Sequence, residues 1–272
     1  MSIPQSDKVF SGSMAEMYHS HLTPMFFDSY ALRLAGMVAS ETVSSVLELG
    51  AGTGVVTRAM VDALDSDVAI EATDLNEPMM AFAQSVRRDT NVRWSQADAC
   101  KLGHTDAHFD AVACQFAVMF FPDRVQAYAE ARRVLKPGGR FVFSVWDRLS
   151  ENEFAETVEQ ALGELFPSDP PKFMSRTPFG YYEIDEIVSD LHAAGFKGDP
   201  IVETIADRSR APSAAFAAKA FCRGTPVQAE VESRDASQFE HANKIVQNAF
   251  SERFGEGEIE GKMQAHVFSI RV

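Results

Sequence analysis

The sequence predicts an α/β fold, a doubly wound and mostly parallel sheet with helices on both faces. Residues 46–58, V-L-E-L-G-A-G-T-G-V-V-T-R, run from an apolar strand through an acid and three alternate glycines into helix-forming residues. From there to residue 146, strand-like and helix-like stretches alternate, the pattern of parallel strands joined by crossover helices. At 272 residues the chain is long enough for one large α/β domain with additions, or for two small domains.

Hydrophobic residues make up 46% and charged residues 24%, ordinary for a soluble globular protein. A formal charge of -14 repels phosphate backbones and anionic membrane surfaces, which argues against a broad nucleic-acid or lipid partner. Cys100, Cys114 and Cys222 show no metal-ligand spacing and cannot all pair, so a reducing compartment and no metal are expected. Cys114 lies in an apolar run and reads as core. The N-terminal M-S-I-P-Q-S-D-K lacks the order of a signal peptide, and no apolar run approaches membrane-spanning length. The cytoplasm is the expected location.

Residues 11–40 read as a helical arm. Met14, Met17, Tyr18, Phe26, Phe27, Tyr30, Leu34 and Met37 are mixed with small polar residues, and Pro24 is expected to interrupt any single long helix. Read from its residues, the arm is an amphipathic cover packing on the sheet edge. In the turn that follows the first strand, glycine permits a backbone path that side chains would block, and the next helix presents unpaired N–H groups to a ligand. Dinucleotide folds space such glycines G-x-G-x-x-G. Here Gly50, Gly52 and Gly54 alternate, with Glu48 two residues ahead. Val56, Met60, Ala63 and Leu64 recur at helical spacing after them.

Residues 68–73 form the second strand, ending at Asp74. An acid there is placed to accept hydrogen bonds from ribose hydroxyls; the plainer reading is a cap or loop acid before a helix with Pro78 in its first turn. Residues 92–96 form the third strand, followed by Ala97-Asp98-Ala99, and residues 109–113 the fourth. The loop after the fourth strand carries Gln115, Phe116, Phe120 and Phe121. Asp123, with Gln126 three residues on, makes a capping-box arrangement for a helix whose inward stripe is Val125, Tyr128, Ala131 and Leu135. Lys136-Pro137-Gly138-Gly139 stops that helix, and residues 140–146 are the fifth strand, ending at Trp146.

Taken in order, E-x-G-x-G-x-G, Asp74, Ala97-Asp98-Ala99 and R-R-V-L-K-P-G-G-R-F-V-F-S-V-W resemble the class I S-adenosylmethionine (SAM)-dependent methyltransferases, the ubiquinone- and menaquinone-type small-molecule enzymes in particular. The resemblance implies a Rossmann-like fold of seven strands with the last antiparallel, here with helical cap insertions. It implies SAM as cofactor, S-adenosylhomocysteine (SAH) as product, and no metal. It carries the cofactor contacts onto Tyr18, Glu48, Gly50, Ala51, Gly52, Thr53, Gly54, Asp74, Leu75, Met79, Asp98, Ala99 and Gln115. Asp74 then takes the ribose, Asp98 the adenine amino group, and Leu75 and Met79 lie near the adenine. Ala97 stands where the family often has glycine, and Tyr18-His19 where the quinone enzymes close over SAM with Tyr-Asp.

Residues 153–166 read as a helix, 168–182 as a loop rich in proline and aromatics, and 184–194 as a helix ended by Gly195. Residues 201–206 and 266–272 are the expected sixth and seventh strands. The family usually joins these two by a short hairpin, whereas here residues 214–254 intervene, helical apart from a break at Gly224-Thr225-Pro226. With strand six parallel to the core, the excursion leaves from the end that carries the glycine turn. With the arm and the loop it is expected to cap the substrate pocket; the other reading is a dimerisation element, which keeps a homodimer open. One methyltransferase domain over 1–272 is expected: a lid at 1–40, a SAM-binding core at 41–147, and the rest of the sheet at 148–272 with its cap insertion at 213–254.

The expected activity is methyl transfer from SAM to a small, apolar or aromatic molecule at carbon or oxygen. Transfer is an in-line displacement that needs alignment in a dry site. Phe116, Phe120 and Trp146 are the expected pocket walls, with plain core the alternative for each. His19, His21, Asp147 and Gln115 are near enough in topology to be considered as a base, but none occupies a recognisable catalytic motif, and no catalytic residue is assigned. Two other functions compete. One is a non-catalytic SAM-binding module that recruits a partner through its insertion. The other is a nicotinamide-dependent oxidoreductase, against which the glycine spacing and L-K-P-G-G count.

Overall fold

A computed structural model describes residues 12–40 and 42–272. Ser11, the first residue of the expected arm, and the stretch read for a signal peptide lie outside the described residues. The arm comprises α1 (Gly12–Met17), a π-helical stretch (Tyr18–Phe27) and α2 (Asp28–Ala39). Pro24 sits inside the π-helical stretch, which divides α1 from α2 while the arm stays helical throughout. The wider coil moves the i−4 carbonyl away from the proline ring, which relieves the clash that proline makes inside an α-helix. It also turns Leu22, Met25, Phe26 and Phe27 inward.

The core then alternates as expected: β1 (Ser45–Leu49), α3 (Val55–Ala63), β2 (Ala69–Asp74), α4 (Glu77–Val86), β3 (Val92–Gln96) and β4 (Phe109–Gln115). It continues through α5 (Arg124–Val134), β5 (Leu135–Trp146), α6 (Glu153–Leu165), α7 (Phe173–Arg176) and α8 (Ile184–Ala193). The last elements are β6 (Ile201–Ala211), α9 (Ala214–Gly224), α10 (Val227–Asp235), α11 (Phe239–Phe254) and β7 (Ile259–Arg271). The sheet has seven strands in the order β3-β2-β1-β4-β5-β7-β6. β7 runs antiparallel to both neighbours, and the first five strands pair in parallel.

Strand alternation builds a core on each face. Phe141, Phe143 and Val145 of β5 point to one side, where the aromatic residues concentrate. Val142 points to the other, where Val46, Ala111 and Ala113 meet Leu34 and Val38 of α2. Cys114 is fully buried on the aromatic side. Leu135, expected on the inward stripe of α5, is instead the first residue of β5 and pairs with Phe109. The K-P-G-G stretch lies inside the strand as an irregularity: Gly138 takes φ +79°, and a Cβ at Gly139 would meet the Asp110 carbonyl at 3.0 Å. β6 and β7 are both longer than expected. Their outer halves carry charges such as Arg208 and Glu260, which pair with each other and hide the apolar alternation of a buried strand.

The chain order reverses between β1 and β4, so the turn after β1 and the loop after β4 open onto one crevice at the carboxyl ends of the strands. β6 is parallel to β5, and α9 to α11 therefore depart from that same end.

Candidate active site

Glu48 is the last acid before the turn and is almost fully buried. One carboxylate oxygen accepts the Thr57 hydroxyl at 2.5 Å, and burial pushes the group up to about 7 despite that bond. Gly50, Gly52 and Gly54 have φ of +66°, +54° and +79°, left-handed backbone that favours glycine. A Cβ at Gly50 would collide with the Cβ of Ala117 from the β4 loop, so the two loops touch across the crevice. Gly54 behaves differently from the other two. A Cβ there would meet the Trp94 ring at 2.9 Å and Arg58 at 3.1 Å, on the side away from the crevice.

Asp74, at the end of β2, accepts the Gly52 N–H at 2.8 Å with one oxygen and the Asn76 N–H at 2.7 Å with the other. The Asn76 bond turns the chain into α4, whose N-cap is Asn76, so Asp74 is a loop acid ahead of the helix and not its cap. Burial raises its pKa, and the bonds from Asn76 and Gly52 oppose that. Asn76 Nδ2 shares Oδ1 at 3.3 Å, which leaves the second lone pair of Oδ2, beside the Gly52 bond, for a ribose hydroxyl. Asp98 accepts the Cys100 N–H at 2.9 Å.

These residues open into one cavity of about 320 Å³, the scale of a small-molecule site. Glu48, Gly50, Ala51, Gly52 and Thr53 line it, as do Asp74, Leu75, Met79, Asp98, Ala99 and Gln115. Gly54 does not; its place in the motif serves the packing of α3 on α4 and β3. From the arm come Tyr18, Leu22, Phe26 and Phe27, and Tyr18 stacks on Phe27 with ring centroids 5.2 Å apart. Phe116, Phe120 and Trp146 all line the cavity, joined by Phe121.

Phe116 is held in an unusual state. Its φ is +50°, its N–H is bonded to Ser144 O at 3.1 Å, and its ring lies flat on Trp146 at 3.8 Å. An aromatic residue in left-handed backbone costs roughly 1–2 kcal/mol, retained only where the surroundings enforce it. Phe116→Gly is therefore expected to be more stable than Phe116→Ala by about 1 kcal/mol in urea unfolding, although glycine normally loses that comparison. The reverse order would mean that the backbone is unstrained.

No individual residue of the loop or the insertion is among the expected cavity walls. Phe173, Met174 and Phe179 reach the cavity from the loop, and Phe221, Thr225 and Pro226 from the insertion. The break at Gly224-Thr225-Pro226 was the available signal, since it marks where the insertion turns inward. His19, His21 and Asp147 do not line the cavity. His19 packs on Phe82, His21 stacks on Phe216 at 4.3 Å, and burial lowers both pKa values. The Asp147 carboxylate accepts Gln264 Nε2 at 2.6 Å and faces His266 at 3.3 Å, fastening β5 to β7. Gln115 alone of the four reaches the cavity; its Nε2 donates to Phe27 O at 3.2 Å.

SAM fits what is present. The buried Gln115 Oε1 and Thr53 Oγ1 have no hydrogen-bond partner among the described residues, and three carboxylates, Glu48, Asp74 and Asp98, suit a ligand with net positive charge. The same carboxylates would repel the pyrophosphate of a dinucleotide.

A family model described as a methyltransferase domain matches residues 47–143. The chain is 28% identical over 176 residues to a demethylmenaquinone methyltransferase of Tropheryma whipplei, covering 61% of this chain and 71% of that one. It is 34% identical over 136 residues to a ubiquinone/menaquinone biosynthesis C-methyltransferase of Burkholderia mallei, covering 47% of this chain and 56% of the relative. Among solved structures, phosphoethanolamine N-methyltransferase 2 of Haemonchus contortus in complex with SAM has a TM-score of 0.58 at 15% identity, over 96% of this chain and 57% of that one.

Proposed function

We propose that this chain, which belongs to the class I SAM-dependent methyltransferases, methylates a small, uncharged, apolar or aromatic molecule at carbon or oxygen. The observation that carries this reading is the division of the cavity. Its carboxylates lie at the ends of β1, β2 and β3, while the arm, the loop and the insertion contribute aromatic and aliphatic side chains. Among the described residues, the lining contains no histidine, lysine, arginine or cysteine. An acceptor bearing phosphate or carboxylate would enter with no cationic side chain in the lining to pair with it and beside three carboxylates.

SAM, when bound, supplies an activated methyl group on a sulfonium. The chain's own residues do the rest. We assign Asp74 to the ribose, Asp98 with Leu75 and Met79 to the adenine, and Glu48, Thr53 and Gln115 to the polar end of the cofactor. Tyr18, Phe116, Phe120 and Trp146 exclude water and present ring faces that suit a cation and an apolar acceptor. The quinone relatives' substrates fit this polarity, but the family match ends at residue 143, before the loop and insertion that wall the acceptor half. The lid, core and cap act as one unit in this reading.

Glu48 makes the reading pH-dependent. Its carboxyl is raised from 4.5 to about 7 in the folded protein, so between those values the unfolded state binds fewer protons than the folded one. Its contribution to stability is thus present below about 4.5 and is lost as pH rises through 7. A cationic ligand favours the ionised form, so SAM should bind more tightly at pH 8 than at pH 6, and Glu48→Gln should flatten that dependence. Calorimetry at the two pH values checks it.

The activity itself is tested by incubating the protein with SAM and a panel of hydroxyarenes and hydroquinones, alongside phosphoethanolamine and benzoates. Methylated product and SAH from neutral arenes only are expected. Turnover of the anionic acceptors instead would overturn the assignment of the acceptor half.

A further inference from the structure

The geometry points to Glu230 as a positioning residue that holds the acceptor half of the cavity closed. The inference rests on the proposed division of that cavity. Glu230 belongs to α10, inside the insertion, and its side chain is only 12% exposed. One carboxylate oxygen accepts the backbone N–H of Lys172 at 2.8 Å and of Phe173 at 3.2 Å. The other accepts Arg176 Nη2 at 2.6 Å.

Those partners span α7, a helix of four residues, too short to persist without outside support. The carboxylate thus caps a helix of the loop from a different element, through charge-assisted bonds. The residues so fixed include Phe173 and Met174, which line the cavity. One turn along α10, Arg234 donates to Asp169 O at 2.6 Å and Pro170 O at 3.3 Å. Loop and insertion are stitched into one roof, with Glu230 at the seam and outside the cavity. Ser175 N–H is held separately by Glu159 of α6 at 2.9 Å, so removing the Glu230 carboxylate frees the start of α7, and Phe173 and Met174 loosen from the wall while the glycine turn and Asp74 are untouched.

The test uses the full chain, with Glu230→Ala, Glu230→Gln and 1-naphthol as the acceptor probe. Calorimetry measures the Kd of SAH alone and of 1-naphthol with SAH bound, and hydrogen exchange follows residues 172–176. We expect Glu230→Ala to weaken 1-naphthol about tenfold, to leave SAH within about twofold, and to speed exchange at 172–176. Glu230→Gln keeps one acceptor oxygen and should lie between. Unchanged 1-naphthol affinity, or a parallel loss of SAH affinity, would overturn the positioning role. Wild-type protein that binds SAH but not 1-naphthol would overturn it as well. Failure of the methyltransferase reading shows separately, as wild-type protein that does not bind SAH.

Discussion

Gly50→Ala is expected to abolish SAM binding and to destabilise the fold by roughly 2–5 kcal/mol, the sum of a left-handed alanine and an overpacked contact. Gly50 has φ +66°, and its missing Cβ is where Ala117 of the β4 loop sits. Neither problem has a cheap remedy. Relaxing φ would pull the Gly52 N–H from Asp74, and moving Ala117 would displace Phe116, its neighbour in the chain and already in left-handed backbone. Gly103→Ala is the control, because a Cβ there meets nothing within 4 Å. Urea unfolding with SAH titration reads both effects. A Gly50→Ala protein that unfolds and binds like Gly103→Ala would show that the crossing of the two loops is not what shapes the crevice.

Asp74→Asn should leave the protein folded and weaken SAM by about 100-fold, or ~2.7 kcal/mol. Asparagine retains one oxygen for the Gly52 or Asn76 N–H, and loss of a charge that burial already disfavours costs the free protein little. The bound state loses a charged acceptor for ribose and a partner for the cofactor's positive charge. Asp98→Asn should cost less, about tenfold, since Asp98 is assigned a single contact, to the adenine amino group. Equal losses at the two positions would contradict the ribose and adenine assignments.

The cofactor half was legible because its signals are contiguous. A strand, a glycine turn and a helix occupy neighbouring positions, and Asp74 and Asp98 follow at the ends of the next two strands. Even there, periodicity could not separate the glycines that face the cavity from Gly54, which faces Trp94. The acceptor half was hardly legible. Phe26, Phe173, Phe179 and Phe221 come from segments far apart in the chain, and nothing local distinguishes them from other buried phenylalanines. Pro24 falls in the stretch that separates α1 from α2, but that the separation is π-helical is a tertiary accommodation that no short-range pattern announces. The left-handed Phe116 is likewise fixed by Trp146 and Ser144, not by its neighbours. The insertion's length was plain in the sequence, whereas its attachment through Glu230 and Arg234 to the chain's own loop was not. That attachment favours a cap over an arm held out to a partner.

Calorimetric titration of the protein with SAM, SAH and NAD, with Asp74→Asn alongside, decides whether the crevice is a SAM site. Micromolar binding of SAM and SAH, about 100-fold weaker in the variant, and no binding of NAD are expected. Folded protein that ignores SAM and SAH, or that takes NAD in their place, would show that it is not one.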